Sequence, residues 1–365
     1  MRGDKEQGRG NKGSTKIWNF VPWEKGMDIN MKSEKCQDTA YLDILRWIAI
    51  SAVVMLHVVS GIADTIPEQM TVEQQIIYEM IKNMMTVGVP VFLMISGSLF
   101  LNPEKEIGIE KILKRYVPRI LLALFLFGVP YAIMELIAQE GSFSWMMVIR
   151  GFFLTLSGNT WASMWYLYEL VGIYLLTPFI KLAVNYGGKR FVEYGLALSF
   201  LFSMLFPFIE QIFGLHIGIV YQLSGVYLFY YVLGCYLHQY GTFNWRWCAG
   251  LFTVLECIII LNQVMGLGME VQYNSLVTAA ASAFLFLTFR NLKKGNAGLS
   301  AKGNVCFGIY LVHTFFLNVF YKLFHITPLE VGYSGILLFW ILVFGLSLVT
   351  SEITQKIPVL RKYVV

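Results

Sequence analysis

From Ile44 almost to the C-terminus, apolar runs of about 18 or more residues alternate with short stretches that hold most of the chain's charged side chains. Such runs are too long and too uniformly apolar for the one-sided stripe of a water-soluble helix, and they predict membrane-spanning helices. Runs of roughly 20 residues fall near 44–63, 80–101, 117–138, 163–182, 190–210, 219–238, 247–267, 273–291, 304–324 and 332–351. The expectation is an all-α, polytopic membrane bundle of about ten transmembrane helices. The apolar stretch Phe143 to Leu156 is too short to cross and is flanked by Gly141 and by Ser157 to Asn159, so it reads as interfacial or re-entrant.

The connecting loops test the count independently, because Lys and Arg accumulate on the cytoplasmic side of a membrane protein. Lys105, Lys111, Lys114, Arg115 and Arg119 share one set of alternating loops with Lys181, Lys189, Arg190, Arg246, Arg290, Lys293, Lys294, Lys302, Lys356, Arg361 and Lys362. The other set holds Arg150 and Lys322 and carries the acids Asp64, Glu68, Glu73 and Glu270. Both termini are therefore expected in the cytoplasm, with the protein in the cell membrane.

Composition agrees: 56% of the 365 residues are apolar and 14% are charged, a balance foreign to soluble domains of this length. The net charge of +5 lies between spans rather than in a stripe, so topology accounts for it and nucleic acid is not an expected partner. Cys36, Cys235, Cys248, Cys257 and Cys306 have neither CxxC spacing nor neighbouring His ligands. They read as small hydrophobes, and no metal is expected. Residues 1–40 form a polar, Gly-rich tail without a signal-peptide core, and Met1, Met27 and Met31 all fit as starts. The expected organisation is a disordered cytoplasmic tail over 1–40, a membrane domain over 41–355 and a short C-terminal tail over 356–365.

Ionisable groups inside apolar spans mark function by default, because each is costly to hold in hydrocarbon. The first span carries Arg46 and His57 in LDILRWIAISAVVMLH. Eleven residues of helix place them roughly 16 Å apart along the axis and within about 20° of one face. A fixed cation at the inner mouth and a titratable imidazole deeper in suit a long donor with an anionic head and a reactive end, such as a coenzyme A thioester. The plainer reading is a snorkelling Arg46 and a packed His57.

This segment resembles the opening of the acyltransferase type 3 family of membrane O-acyltransferases, whose first membrane helix carries an Arg, ten residues and a His. VGVPVFLMISGSLFL is similar to that family's second helix, with Ser96 and Gly97 at matching places. MWYLYELVGIYLLTPFI, from Met164, and FGIYLVH, ending at His313, resemble two later helices. The matches run in order from Tyr41 to His313, while the polar tail has no counterpart. The resemblance implies His57 as catalytic residue and Arg46 as a residue holding the coenzyme A donor, with acyl-CoA, most often acetyl-CoA, as substrate and no permanently bound cofactor. It implies O-acetyl transfer to a cell-envelope glycan or lipid-linked saccharide.

Other polar residues extend the list. Glu169 is a candidate to orient His57 or the acceptor, or else a structural partner in the bundle. His313 either assists or makes an interhelical hydrogen bond, and Ser96 either meets substrate or lets helices approach closely. Trp165 and Tyr166 offer a stacking platform for a sugar where an aromatic belt is expected anyway. Arg115 and Arg119 could attract the donor's anionic head, and Arg150 an anionic acceptor. His57 could act as general base or carry the acyl group as an acyl-imidazole. The rival function is a carrier or flippase of glycan precursors, against which stand the missing internal repeat and the placement of the strongest polar pair on one helix.

Overall fold

The computed structural model describes residues 40–64, 66–214, 217, 225–292, 303, 305–358 and 360, all within the unit Thr39–Val365. The polar tail, Cys36, the basic loop residues Lys293, Lys294 and Lys302, and the C-terminal Arg361 and Lys362 lie outside the described residues.

Every regular element among the described residues is helical. They are α1 (Ala40–Ala63), α2 (Val72–Met85), α3 (Gly88–Phe100), α4 (Val117–Glu140), α5 (Met146–Leu156), α6 (Trp165–Phe200), α7 (Phe206–Phe213), α8 (Val226–Tyr240), α9 (Trp245–Met265), α10 (Leu276–Asn291), α11 (Val305–Asn318) and α12 (Tyr333–Lys356). Thr71 caps α2 with a reciprocal pair of bonds to Gln74, and Asn244 and Ser275 cap α9 and α10 through their side chains. These caps satisfy N–H groups that a helix start leaves unpaired.

Among the described residues, seven helical stretches are long and apolar enough to cross a membrane: Ala40–Ala63, Val72–Phe100, Ile109–Glu140, Ala162–Phe213, Trp245–Met265, Val305–Leu323 and Tyr333–Lys356. The difference from ten expected spans has identifiable sources. The runs at 163–182 and 190–210 fall inside one 52-residue stretch, interrupted at Gly188, whose φ of 67° and ψ of −175° break the helical path. That φ favours glycine because it has no Cβ to clash. The run at 273–291 becomes the 16-residue α10, about 24 Å long. The run at 219–238 begins outside the described residues and leaves the 15-residue α8. The segment at Phe143 to Leu156 is α5, only 11 residues long, which packs on α4 where Gly151 meets Ile133 and Gly128 meets Thr155.

The core is built around α1, which packs against α2, α3, α10, α11 and α12. Its Leu45, Ile50, Val54, Val58 and Val59 have essentially no exposed surface. The closest helix pair is α3 with α8: a Cβ at Gly97 would overlap the Tyr231 carbonyl, and one at Gly234 the Met94 backbone. Ser98 adds a hydrogen bond of 2.9 Å to the Gly234 carbonyl. Small residues thus bring the two backbones into contact, the usual way that helices gain packing energy without a hydrophobic driving force.

Candidate active site

Spacing along α1 sets the site. Arg46, Val53 and His57 are separated by seven and then four residues, which returns each side chain to one stripe of the helix. α3 contributes Val89, Phe92, Ser96 and Phe100, α6 contributes Tyr166, Leu170 and Tyr174, and α11 contributes Cys306, Phe307 and Tyr310. Together with Arg46, Val53 and Arg119 they line a cavity of about 260 Å³. A smaller chamber of about 30 Å³ holds His57, with Leu56, Met85, Ser163, Trp165 and Tyr273 in its walls. That volume admits on the order of two water molecules. Val53, Val89, Tyr166 and Tyr310 line both spaces, so two phenols and two valines form a wall common to the Arg46 cavity and the His57 chamber.

The two cations of the larger cavity differ in setting. Arg46 forms an ion pair with Asp43, one turn earlier on α1, and the backbone at Gly303 packs on this pair so closely that a Cβ there would overlap Asp43. Arg119 enters from α4. A guanidinium so placed presents several fixed donors to a phosphate.

Beside His57 stands a second imidazole. His313 is fully buried, and its ring centroid lies 5.1 Å from that of His57. Its Nδ1 is 2.7 Å from the Tyr310 carbonyl. A carbonyl oxygen only accepts, so Nδ1 carries the proton and Nε2 is left with a lone pair. That Nε2 is buried and has no hydrogen-bond partner. Hydrogen bonds from Ser163 Oγ to Thr314 Oγ1 at 3.1 Å, from Tyr131 to the Leu311 carbonyl at 2.8 Å, and from the Tyr310 hydroxyl to the Ser163 carbonyl hold this part of α11 in place.

The other candidates separate clearly. Trp165 lies in the chamber wall, and Tyr166 and Ser96 both line the Arg46 cavity. In the Ile-Ser-Gly-Ser segment, Gly97 and Ser98 make the close helix approach, leaving Ser96 free to face the cavity. The structure does not bring Glu169 to His57: Tyr166, Leu170 and Tyr174 form the inward stripe of α6, and Glu169, turned off that stripe by its helical phase, is exposed. Arg115 is exposed as well, its guanidinium 5.8 Å from the Tyr116 ring, and does not line the cavity that Arg119 enters. Arg150 lies outside both spaces and is paired with Glu140 at 2.5 Å.

Several residues escaped the sequence reading. Tyr174 and Tyr310 line the cavity, although a tyrosine within an apolar run carries no signal of its own. Lys181, assigned to a basic loop, is nearly buried and bonds the carbonyls of Phe100, Asn102 and Lys105 at 3.2, 2.7 and 2.5 Å. Glu256 is buried in α9 with both carboxylate oxygens unpartnered, and its charge within an apolar run was the signal available. Among the described residues no group of three His, Cys, Asp or Glu could hold a metal ion.

The class so defined is a helical membrane protein in which a cavity lined by Arg46 and Arg119 adjoins the half-buried His57 and the fully buried His313. A model of the Acyl_transf_3 family, described as an acyltransferase domain, matches residues 39–353, and the chain belongs to that family. Neither curated proteins nor solved structures give a match.

Proposed function

We propose that this membrane acyltransferase moves a short acyl group, acetyl by family resemblance, from acyl-CoA to a hydroxyl of a cell-envelope glycan or glycoconjugate. The carrying observation is that the His57 chamber and the Arg46 cavity share a wall of four side chains. The donor's phosphates meet Arg46 and Arg119, and its thioester reaches toward His57 past Tyr166 and Tyr310. His57 then takes the proton of the acceptor hydroxyl as it attacks the thioester carbonyl, the C–S bond breaks, and the leaving thiolate of coenzyme A takes that proton from the imidazolium to depart as the thiol. Alternatively His57 carries the acyl group between donor and acceptor. Family membership favours transfer over transport of a glycan precursor.

In this reading the chain crosses the cell membrane ten times with both termini in the cytoplasm. The 52-residue stretch supplies two crossings divided at Gly188, and α8 and α10 supply one each. The positive-inside alternation of the loops then puts the Arg46 cavity toward the cytoplasm.

The test is acyl-CoA turnover, and label transfer to envelope glycans, by the detergent-purified protein. A folded His57→Ala protein is expected to lose at least about 100-fold in rate, the lower range for a positioned general base. Wild-type transfer by that variant refutes the mechanism.

A further inference from the structure

On the side of His57 away from Arg46 lies a third space that the mechanism leaves unused. It is an open pocket of about 920 Å³ between the end of α4, α5 and the segment leading into α6. Polar groups in its lining include Glu135, Gln139, Asn159, Trp161 and Lys322. Glu135 accepts a bond of 3.2 Å from the Trp161 indole N–H and pairs with Lys322 at 2.7 Å. The indole is stacked on Tyr131 with ring centroids 4.1 Å apart, which fixes its plane. α5 lines it with Arg150, Leu154 and the apolar Ile149, Phe153 and Leu156, the last three all exposed.

The pocket also adjoins the catalytic chamber. Trp161 and Ala162 line the pocket, while Ser163 lines the His57 chamber. Two residues of chain span at most about 7 Å, so a single turn of backbone separates the two spaces.

We infer that this pocket binds the acceptor, and that the acceptor is a saccharide joined to a lipid. A fixed aromatic ring flanked by a carboxylate, two amides and an ammonium offers stacking and hydroxyl recognition to a sugar, and the apolar wall of α5 accommodates a hydrocarbon chain in the bilayer. The ion pairs of Glu135 and Lys322, and of Arg150 and Glu140, neutralise the charges that would otherwise demand an anionic ligand. This inference rests on the acyltransferase reading, and it moves the stacking role from Trp165, packed between Tyr227 and Tyr273, to Trp161.

The experiment uses the full chain in nanodiscs, with Cys36 and Cys257 replaced by serine and Ala162→Cys, at an exposed position in the pocket lining, introduced as a reporter. Its labelling by a membrane-impermeant maleimide is timed with dodecyl maltoside, with maltose, and with a dodecyl polyoxyethylene ether of equal chain length. Dodecyl maltoside is expected to slow labelling most, and Trp161→Ala and Trp161→Phe are expected to weaken that protection, the former by about 3- to 10-fold. Equal protection by the sugar-free ether would reveal an apolar groove only, and equal protection by maltose would remove the lipid; either result overturns the assignment, as does no protection at all. Protection should persist in His57→Ala. If it does while that variant keeps full acyl-CoA turnover, the chemistry fails and the pocket stands; if protection is absent while turnover falls, the reverse holds.

Discussion

His313 offers the sharpest test of the catalytic geometry. Its proton is committed to the Tyr310 carbonyl at 2.7 Å, so the buried Nε2 lone pair is its one functional atom, and that atom has no partner. A buried acceptor left unpaired costs about 1–3 kcal/mol, an expense that is recovered if Nε2 receives the N–H of His57. Ring centroids 5.1 Å apart bring that contact within a modest ring rotation. Such a bond fixes the His57 tautomer, leaving the other nitrogen free to take the acceptor's proton. In the ground state it joins two neutral rings and is worth about 0.5–1.5 kcal/mol, whereas in the transition state it is made to an imidazolium and is worth about 1.5–3 kcal/mol. The difference of about 1–2 kcal/mol converts to roughly 5- to 30-fold in kcat. His313→Ala is therefore expected to lower kcat by that factor and to change KM for acyl-CoA by less than about twofold, since the proposed donor contacts, Arg46 and Arg119, lie in the other cavity. His313→Gln, which keeps an acceptor oxygen near the same place, is expected to recover part of the loss. Coenzyme A release in membranes containing the native acceptor gives both constants. Unchanged kcat in a folded His313→Ala protein, or an effect confined to KM, would refute the argument.

Gly97→Ala and Gly234→Ala each drive a methyl into backbone across the α3–α8 contact and are expected to cost at least about 1–3 kcal/mol. Thermal unfolding in detergent should show this, while Gly172→Ala, where a Cβ meets open space, shifts little. Lys181→Met strands the carbonyls of Phe100, Asn102 and Lys105 and should destabilise by about 3 kcal/mol or more, read in the same assay. Arg46→Ala and Arg119→Ala are each expected to raise KM for acyl-CoA by about 10- to 100-fold, the value of one charge-assisted bond. Arg115→Ala, which removes an exposed side chain, should stay within about twofold by the same titration.

What the chain disclosed in advance was whatever one helix can encode. Arg46 and His57 share α1, so their common face followed from their spacing, and α5 was recognisable as too short to cross. His313 could be named as a polar residue in an apolar run, but its approach to His57 depends on packing between α1 and α11, which no spacing reveals. Glu169 failed to join the site for a related reason: charge marked it as unusual, while the phase of α6 relative to Tyr166 and Tyr174 decided where it faces. Lys181 was absorbed into the count of loop cations because positive charge near a helix end satisfies the topology rule whether it meets water or three carbonyls.

In the proposed reaction the three spaces differ in what they can hold. Charge stands at both ends, with Asp43, Arg46 and Arg119 on one side and the Glu135–Lys322 and Arg150–Glu140 pairs on the other, while uncharged rings stand between. A coenzyme A head, heavily anionic, loses its guanidinium partners if it advances past Tyr166 and Tyr310, and burying unpaired charge costs several kcal/mol. A thioester at the end of a long neutral arm incurs no such penalty. In the proposed reaction, then, the two tyrosines and two valines that line both spaces favour entry of the reactive end over entry of the head. A chamber with space for about two waters also limits competing hydrolysis, because the acceptor hydroxyl must displace the nucleophile it competes with. Ser163 lines this chamber, and its bonds to Tyr310 and Thr314 on α11 join the Trp161–Ser163 segment to the helix that carries His313.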